Sequence, residues 1–382
     1  MKLGFCLLVL GLASACGGAP AETPPDPHAA LIATLEAKMR EGGIPGMAVA
    51  LIKNDDVAWM RSFGYADLSS GRKVDDSTPF LLASLSKTVV AMVGQALVEE
   101  HKLVWEDGID GPLGFSIRHP ARPDQPITAL ELVTHTSGII DDFIALGAAT
   151  TNGDSPIGLK DFASGYVTAA SHFGGAPGAR FDYSNAGFGV LGAVVEGAGG
   201  DSLAAMSKRY VFDPIGMTDT GWFLRDMAVD KVAIPYSGTW EEGLVPSEHL
   251  GWSFYSATSL RSSIRDLSKY LLTFIRFGQT KEGVRVIPEA SARHMREPLV
   301  PDQNKDQGLC WYWDEVRGKR WFGHTGSAVG ASAIMFFRPE DGLGVLILTN
   351  SDVFVRSRLG FPAGREALYD IFEAIAAEGT EG

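Results

Sequence analysis

Three observations predict a mixed α/β fold of the α+β kind. Short apolar runs that read as strands lie near both ends of the chain, and helical stretches broken by Gly and Pro fill its middle. Amphipathic helical patterns flank the strands at both ends. Finally, 382 residues with 45% hydrophobic content suffice for one large domain or for two lobes sharing a cleft. The economical arrangement is one antiparallel sheet built from both ends of the chain, covered by the terminal helices, with an inserted helical lobe. The mixed lobe is expected at about 28–88 and 253–382 and the helical lobe at about 89–252.

At the N-terminus, Lys2 precedes an apolar stretch from Leu3 to Leu12 that is too short to span a bilayer. Ala13, Ser14 and Ala15 then lead to Cys16, Gly17 and Gly18, a pattern similar to a bacterial lipoprotein signal. It implies removal of residues 1–15 and a lipid on Cys16 that ties the chain to a membrane. Ala13 stands where such signals usually carry Leu, and the alternative is an ordinary secretory signal cut nearby. Either way the protein is expected in the periplasm or cell envelope. Cys16 and Cys310 are then the only cysteines left, and a lipidated Cys16 allows no intrachain disulfide. Residues 16–27 are rich in Pro and small side chains and suit an extended tether, so folding is expected to begin near His28.

Leu31 to Arg40 reads as the opening helix. Gly46 to Lys53 and Val57 to Gly64 are apolar runs separated by Asn54-Asp55-Asp56, a hairpin signal. Phe80 to His101 gives a long apolar-periodic helix. Thr128-Ala129-Leu130-Glu131 is a capping box that opens a helix, with Gly138 as its stop. Ser262 to Phe277 is amphipathic and helical. Leu309 to Val316, Lys319 to Gly323, Ala331 to Phe337 and Leu343 to Thr349 read as strands joined by short turns at Arg317-Gly318 and Glu340-Asp341-Gly342. Phe361 to Ala377 closes the chain as a helix.

Three strings carry chemistry. In Ser84-Leu85-Ser86-Lys87 the hydroxyl and amine are three residues apart, which on a helix places them on one face. A serine is a poor nucleophile until a neighbouring base takes its proton. A lysine partly desolvated there is driven towards its neutral, basic form. Tyr183-Ser184-Asn185 lies between a Pro/Gly-rich loop (Gly174 to Gly178) and the next helix. Tyr183 can exchange a proton with Ser84 or a leaving group and Asn185 can hold a substrate amide; the plainer alternative is that Ser184 or Asn185 caps the helix. His324-Thr325-Gly326 follows a predicted strand, where a glycine lets a substrate backbone approach the strand edge. The backbone N–H groups of Ser84 and Ser327 are the candidate oxyanion hole. A second Ser-x-x-Lys, Ser70-Gly71-Arg72-Lys73, sits in a polar turn and reads as a solvated loop.

Together these strings resemble the serine β-lactamase and penicillin-binding-protein superfamily, in its class C-like branch. Leu132-Val133-Thr134-His135-Thr136-Ser137-Gly138, Asp213-Pro214-Ile215-Gly216-Met217-Thr218-Asp219-Thr220 and the run from Gly323 to Asn350 extend the likeness to roughly residues 30–375. It implies a lobe with a mainly antiparallel sheet, an all-helical lobe and a site between them. It further implies Ser84 as nucleophile, Lys87 as its partner, Tyr183 as general acid/base, and Asn185, His324, Thr325 and Gly326 as substrate-binding residues. His324 replaces the family's more common Lys. A free imidazole titrates near 6.5, so a carboxylate held by His324 is expected to bind worse above that pH, and efficient β-lactamase activity is disfavoured.

Several classes drop out. A net charge of −13 disfavours nucleic acid as a partner. Gly187-Phe188-Gly189-Val190-Leu191-Gly192 fits a dinucleotide fingerprint but lacks the preceding strand, so helix packing is expected. The histidines show no metal-binding spacing, and neither a metal nor a cofactor is expected. The expectation is a serine hydrolase that forms an acyl-enzyme on Ser84 and acts on a small-molecule or short-peptide ester, amide or lactam. The alternative is a non-hydrolytic binding protein on the same fold. Trp222, Trp252 and Trp311 are expected in the core rather than in the cleft wall.

Overall fold

The computed structural model describes Met1 and residues 26–380. The predicted leader, Cys16 and the tether up to residue 25 lie outside the described residues.

A seven-stranded antiparallel sheet takes its strands from both ends of the chain. The N-terminal strands are β1 (Gly46–Lys53), β2 (Asp56–Asp67) and β3 (Arg72–Lys73); the C-terminal ones are β4 (Tyr312–Val316), β5 (Lys319–Ala328), β6 (Ala331–Phe337) and β7 (Gly344–Thr349). Their order is β4-β5-β6-β7-β1-β2-β3, so β1 joins the two halves by pairing with β7 and β2. Asn54 and Asp55 turn from β1 into β2 with φ of 54° and 61°, and Arg317 and Gly318 from β4 into β5 with φ of 51° and 75°. Both two-residue loops thus need the left-handed backbone that Asn, Asp and Gly tolerate.

Both faces of the sheet are covered, which is why β1, β6 and β7 read as continuous apolar runs rather than alternating ones. Met47, Val49 and Leu51 face α1 (Ala29–Gly42) and the closing helix, through Leu35, Met39, Leu368 and Phe372. Ala48, Ala50 and Ile52 face the opposite way, into a core shared with Leu267, Leu271 and Phe274 and with the helices of the chain's middle.

Two helices bear on the site: α2 (Ser86–Glu99) and α3 (Asn185–Gly199). The sequence placed the start of α2 at Phe80. Instead Phe80 and Leu81 pair with Ser262 and Arg261, and residues 83–85 form one 3₁₀ turn before the helix. The capping box at Thr128 is present, but its helix stops at Val133, ahead of Gly138. Strand β4 starts at Tyr312 rather than Leu309, because Cys310 has a φ of 71°. The glycines of the dinucleotide-like string pack inside α3. A Cβ on Gly189 would lie 2.5 Å from Phe162 and one on Gly192 2.5 Å from Ser256.

Candidate active site

Ser84 sits in the 3₁₀ turn between the Phe80–Leu81 pairing and α2, not on the helix itself. The turn is strained: Ala83, buried and carrying a Cβ, has a φ of 48°. Lys87 lies in the first turn of α2 and is fully buried. Its Nζ is 3.0 Å from Ser84 Oγ, 2.8 Å from Asn185 Oδ1 and 2.9 Å from the Ala257 carbonyl oxygen. Burial draws its ammonium down to about 7, against the opposing pull of Cys310 and Asp141. Near neutral pH about half of it is thereby the free amine, held on the serine hydroxyl.

Tyr183 leads into α3. Its ring lies 4.9 Å from Lys87 Nζ. The residue is partly open to the cleft, yet desolvation of its phenol raises it well above the ordinary value of 10, the Ser84 hydroxyl pulling the other way. The plain alternative for this string also holds, because Ser184 caps α3 by accepting from Gly187 N–H at 2.8 Å. Both polar ends of Asn185 are occupied by the protein. Oδ1 meets Lys87, and Nδ2 donates to Asp141 Oδ2 at 2.7 Å. Asn185 therefore braces the lysine, and it also borders the cleft with one Nδ2 hydrogen uncommitted among the described residues.

Two residues of this frame escaped the sequence reading. The Asp141 carboxylate accepts from Ser184 Oγ, Asn185 Nδ2 and Ala186 N–H at 2.7–3.1 Å. Its neighbour Asp142 caps the helix that starts at Phe143. His135 packs against Tyr183 with ring centroids 4.3 Å apart and the rings tilted by 31°, accepts the Ser184 N–H on Nδ1, and receives the Asp182 N–H on its carbonyl. The string Leu132 to Gly138 was visible as a likeness, but nothing in it disclosed this job.

The string His324-Thr325-Gly326 lies within β5, not after a strand that ends at Gly323. Strand β4 pairs with β5 only as far as Gly323, so the edge beyond it is open to the Ser84 turn. Gly326 serves the protein and not a substrate backbone, for a Cβ there would lie 2.1 Å from the Leu82 carbonyl oxygen. Thr325 Oγ1 is 3.0 Å from the Tyr312 hydroxyl. Ser84 and Ser327 both border the cleft.

His324 overturns its expected role as a titrating cation. The ring is 2% exposed, and burial beside Lys87 pushes it down to about 3. Nδ1 donates to the Thr325 carbonyl at 2.6 Å. A neutral imidazole cannot anchor a carboxylate by charge.

The cleft holds about 1240 Å³. Its apolar lining includes Ile140, Phe143, Leu250, Trp252, Trp313 and Val329. Trp222, Trp252 and Trp311 all lie in the core as expected, Trp252 also bordering the cleft, which Trp313 joins unforeseen. Ser70 is bonded to Asp67 at 2.6 Å in an exposed turn and does not border this cleft. Among the described residues no group of three His, Cys, Asp or Glu side chains gathers as a metal-holding site.

Residues 31–368 match the family described as Beta-lactamase. The chain belongs to the beta-lactamase family. It is 31% identical over 220 residues to the esterase EstB of Burkholderia gladioli, a match spanning 54% of each chain, or just over half of that relative's length. Among solved structures it is similar to the octameric penicillin-binding protein homologue of Pyrococcus abyssi, with a TM-score of 0.72 and 26% identity over 85% of this chain and 73% of that one. It also shares its fold with the D-amino acid amidase of Ochrobactrum anthropi (TM-score 0.73, 18% identity, 91% of this chain and 99% of that one). The mixed architecture with its antiparallel sheet is the fold of these neighbours.

Proposed function

We propose that this protein is an exported serine hydrolase, tethered by a lipid on Cys16, that cleaves small esters or amides through an acyl-enzyme on Ser84. The observation that carries this reading is the 3.0 Å contact between Ser84 Oγ and a buried lysine drawn down to about 7. Lys87 takes the Ser84 proton as Oγ attacks the carbonyl carbon. Tyr183, whose phenol stays protonated, passes its proton to the leaving oxygen or nitrogen and recovers one from Lys87. The Ser84 and Ser327 amides hold the oxyanion, each such donor contributing about 3 kcal/mol at the transition state. Water then attacks the acyl-enzyme and releases the acid. The largely apolar walls and the neutral His324 favour an uncharged acyl ester or amide over an anionic β-lactam. The EstB likeness points the same way.

Intact-protein mass spectrometry with 4-nitrophenyl butyrate tests the reading. A butyryl adduct on Ser84 that turns over is expected, abolished by Ser84→Ala and unaffected by Ser70→Ala. An adduct that persists without turnover would make the protein a binder instead. Membrane fractionation of the full chain beside Cys16→Ala tests the tether.

A further inference from the structure

His324 carries one polar atom that the proposed chemistry leaves unused. Its Nδ1 lies 2.6 Å from the Thr325 carbonyl oxygen, and a carbonyl only accepts, so Nδ1 bears the hydrogen. In the neutral ring Nε2 is then a bare lone pair. That atom is buried, without a hydrogen-bond partner among the described residues, and the residue borders the cleft. His135 has the opposite tautomer, since its Nδ1 accepts from Ser184 N–H at 3.1 Å. Of the two imidazoles bordering the cleft, His324 is therefore the one that offers an acceptor.

Its place along β5 decides which part of a substrate it meets. His324 lies three residues, about 10 Å, before Ser327, whose amide receives the carbonyl oxygen. Its ring centroid is 6.5 Å from that of Tyr183, the group that protonates the leaving atom. The part of the substrate within reach is the leaving group. A carboxylate there would meet a lone pair. The cation deep in the site, Lys87, already has three partners, and Arg358 is exposed at the rim.

We infer that His324 Nε2 accepts a hydrogen bond from a hydroxyl or N–H carried by the leaving group, so that the enzyme selects leaving alcohols or amines bearing such a donor over apolar or carboxylate-bearing ones. This rests on the Ser84 hydrolase reading. A buried acceptor that is satisfied only by the right substrate discriminates strongly against an isostere lacking the donor.

Three esters of one acid test it: 2-hydroxyethyl, propyl and carboxymethyl butyrate. All give the butyryl-enzyme that 4-nitrophenyl butyrate gives, so differences in kcat/KM, corrected for each ester's rate with hydroxide, belong to the leaving group. The hydroxyethyl ester is expected to exceed the propyl ester by about tenfold or more. His324→Leu should bring the two within about threefold, His324→Gln should keep part of the preference, and His324→Lys should move it towards the carboxymethyl ester. If any of these variants fails to fold, the wild-type ratio still decides. A wild-type enzyme indifferent between hydroxyethyl and propyl overturns the inference, and so does a preference for carboxymethyl, which would pass recognition to Arg358. An equal loss on all three esters in His324→Leu, with a shifted pH profile, also overturns it by placing His324 on Tyr183. No turnover of 4-nitrophenyl butyrate would sink the Ser84 reading itself.

Discussion

Gly326 and Leu82 are in backbone contact: a Cβ on Gly326 would lie 2.1 Å from the Leu82 carbonyl oxygen. Leu82 is two residues before Ser84, and Gly326 is one residue before Ser327. This single approach therefore sets the spacing between the turn of the proposed nucleophile and the strand that carries the proposed second oxyanion donor. Gly326→Ala must push β5 off the turn. A misplacement of about 1 Å near the chemistry costs on the order of a hundredfold in rate. We expect kcat/KM for 4-nitrophenyl butyrate to fall by about that factor, with a destabilisation of about 1–3 kcal/mol from overpacking. Activity within about threefold of wild type would show that the spacing does not matter.

The strain at Ala83 gives an opposite balance of stability and rate. A residue with a Cβ held at φ 48° is less stable there than glycine by about 1 kcal/mol. Ala83→Gly is expected to raise the unfolding temperature by a few degrees. The looser turn should hold Ser84 less firmly and lower kcat several-fold while KM moves little. Calorimetry and steady-state kinetics on the same preparation check both halves. A variant both more stable and equally fast would remove any role for the strain.

Local chemistry was what the sequence could disclose. The Asn54-Asp55 and Arg317-Gly318 turns, the capping box at Thr128, and the spacing of Ser84 from Lys87 are all decided by residues within a few positions of one another. What it hid depends on distant partners. Asp141 acts on Asn185 from 44 positions away, and the Gly326–Leu82 approach joins segments some 240 residues apart. The same holds for charge. Nothing in the string His324-Thr325-Gly326 shows that β5 buries the imidazole beside Lys87. The bracing role of Asn185 is invisible in its own string because both protein partners come from elsewhere in the chain. Element ends failed for a related reason: periodicity runs through Phe80 to His101, but tertiary pairing with Arg261 and Ser262 claims the first residues.

Asp141 should behave as a positioning residue. Its carboxylate ties Ser184, Asn185 and the start of α3 together, and Asn185 in turn holds Lys87. Hydrogen bonds to a charged group contribute about 1.5–3 kcal/mol each. Asp141→Ala is expected to lower kcat/KM for 4-nitrophenyl butyrate by about 10- to 100-fold and to shift the midpoint of its pH profile, because Lys87 loses its brace. Asp141→Asn, which keeps the shape and one acceptor, should recover part of the loss. An Asp141→Ala enzyme with reduced stability but an unmoved pH midpoint would limit the residue to a structural role.

Lys87 ties rate and stability to the same proton. The free amine is the form that can accept the Ser84 proton, so acylation should rise as pH passes upward through about 7. His324, pushed down to about 3, and Tyr183, held well above 10, titrate outside this window. The stability argument has the same sign. In the unfolded chain the ammonium titrates at 10.5, in the folded one at about 7. Below about 7 both states are protonated, and the buried charge destabilises the fold in full. Between about 7 and 10.5 the unfolded chain holds a proton that the folded one lacks, so stability gained from this site rises with pH. Lys87→Met loses the lysine's hydrogen bonds at every pH but removes this slope. Its kcat/KM should fall by about 10²–10⁴ and lose the ascending limb near pH 7. Its stability relative to wild type should be most favourable at low pH and decline towards pH 10. Parallel stability curves for the two proteins between pH 6 and 10 would mean that Lys87 is not titrating low, and the base assigned to Ser84 would have to be sought elsewhere.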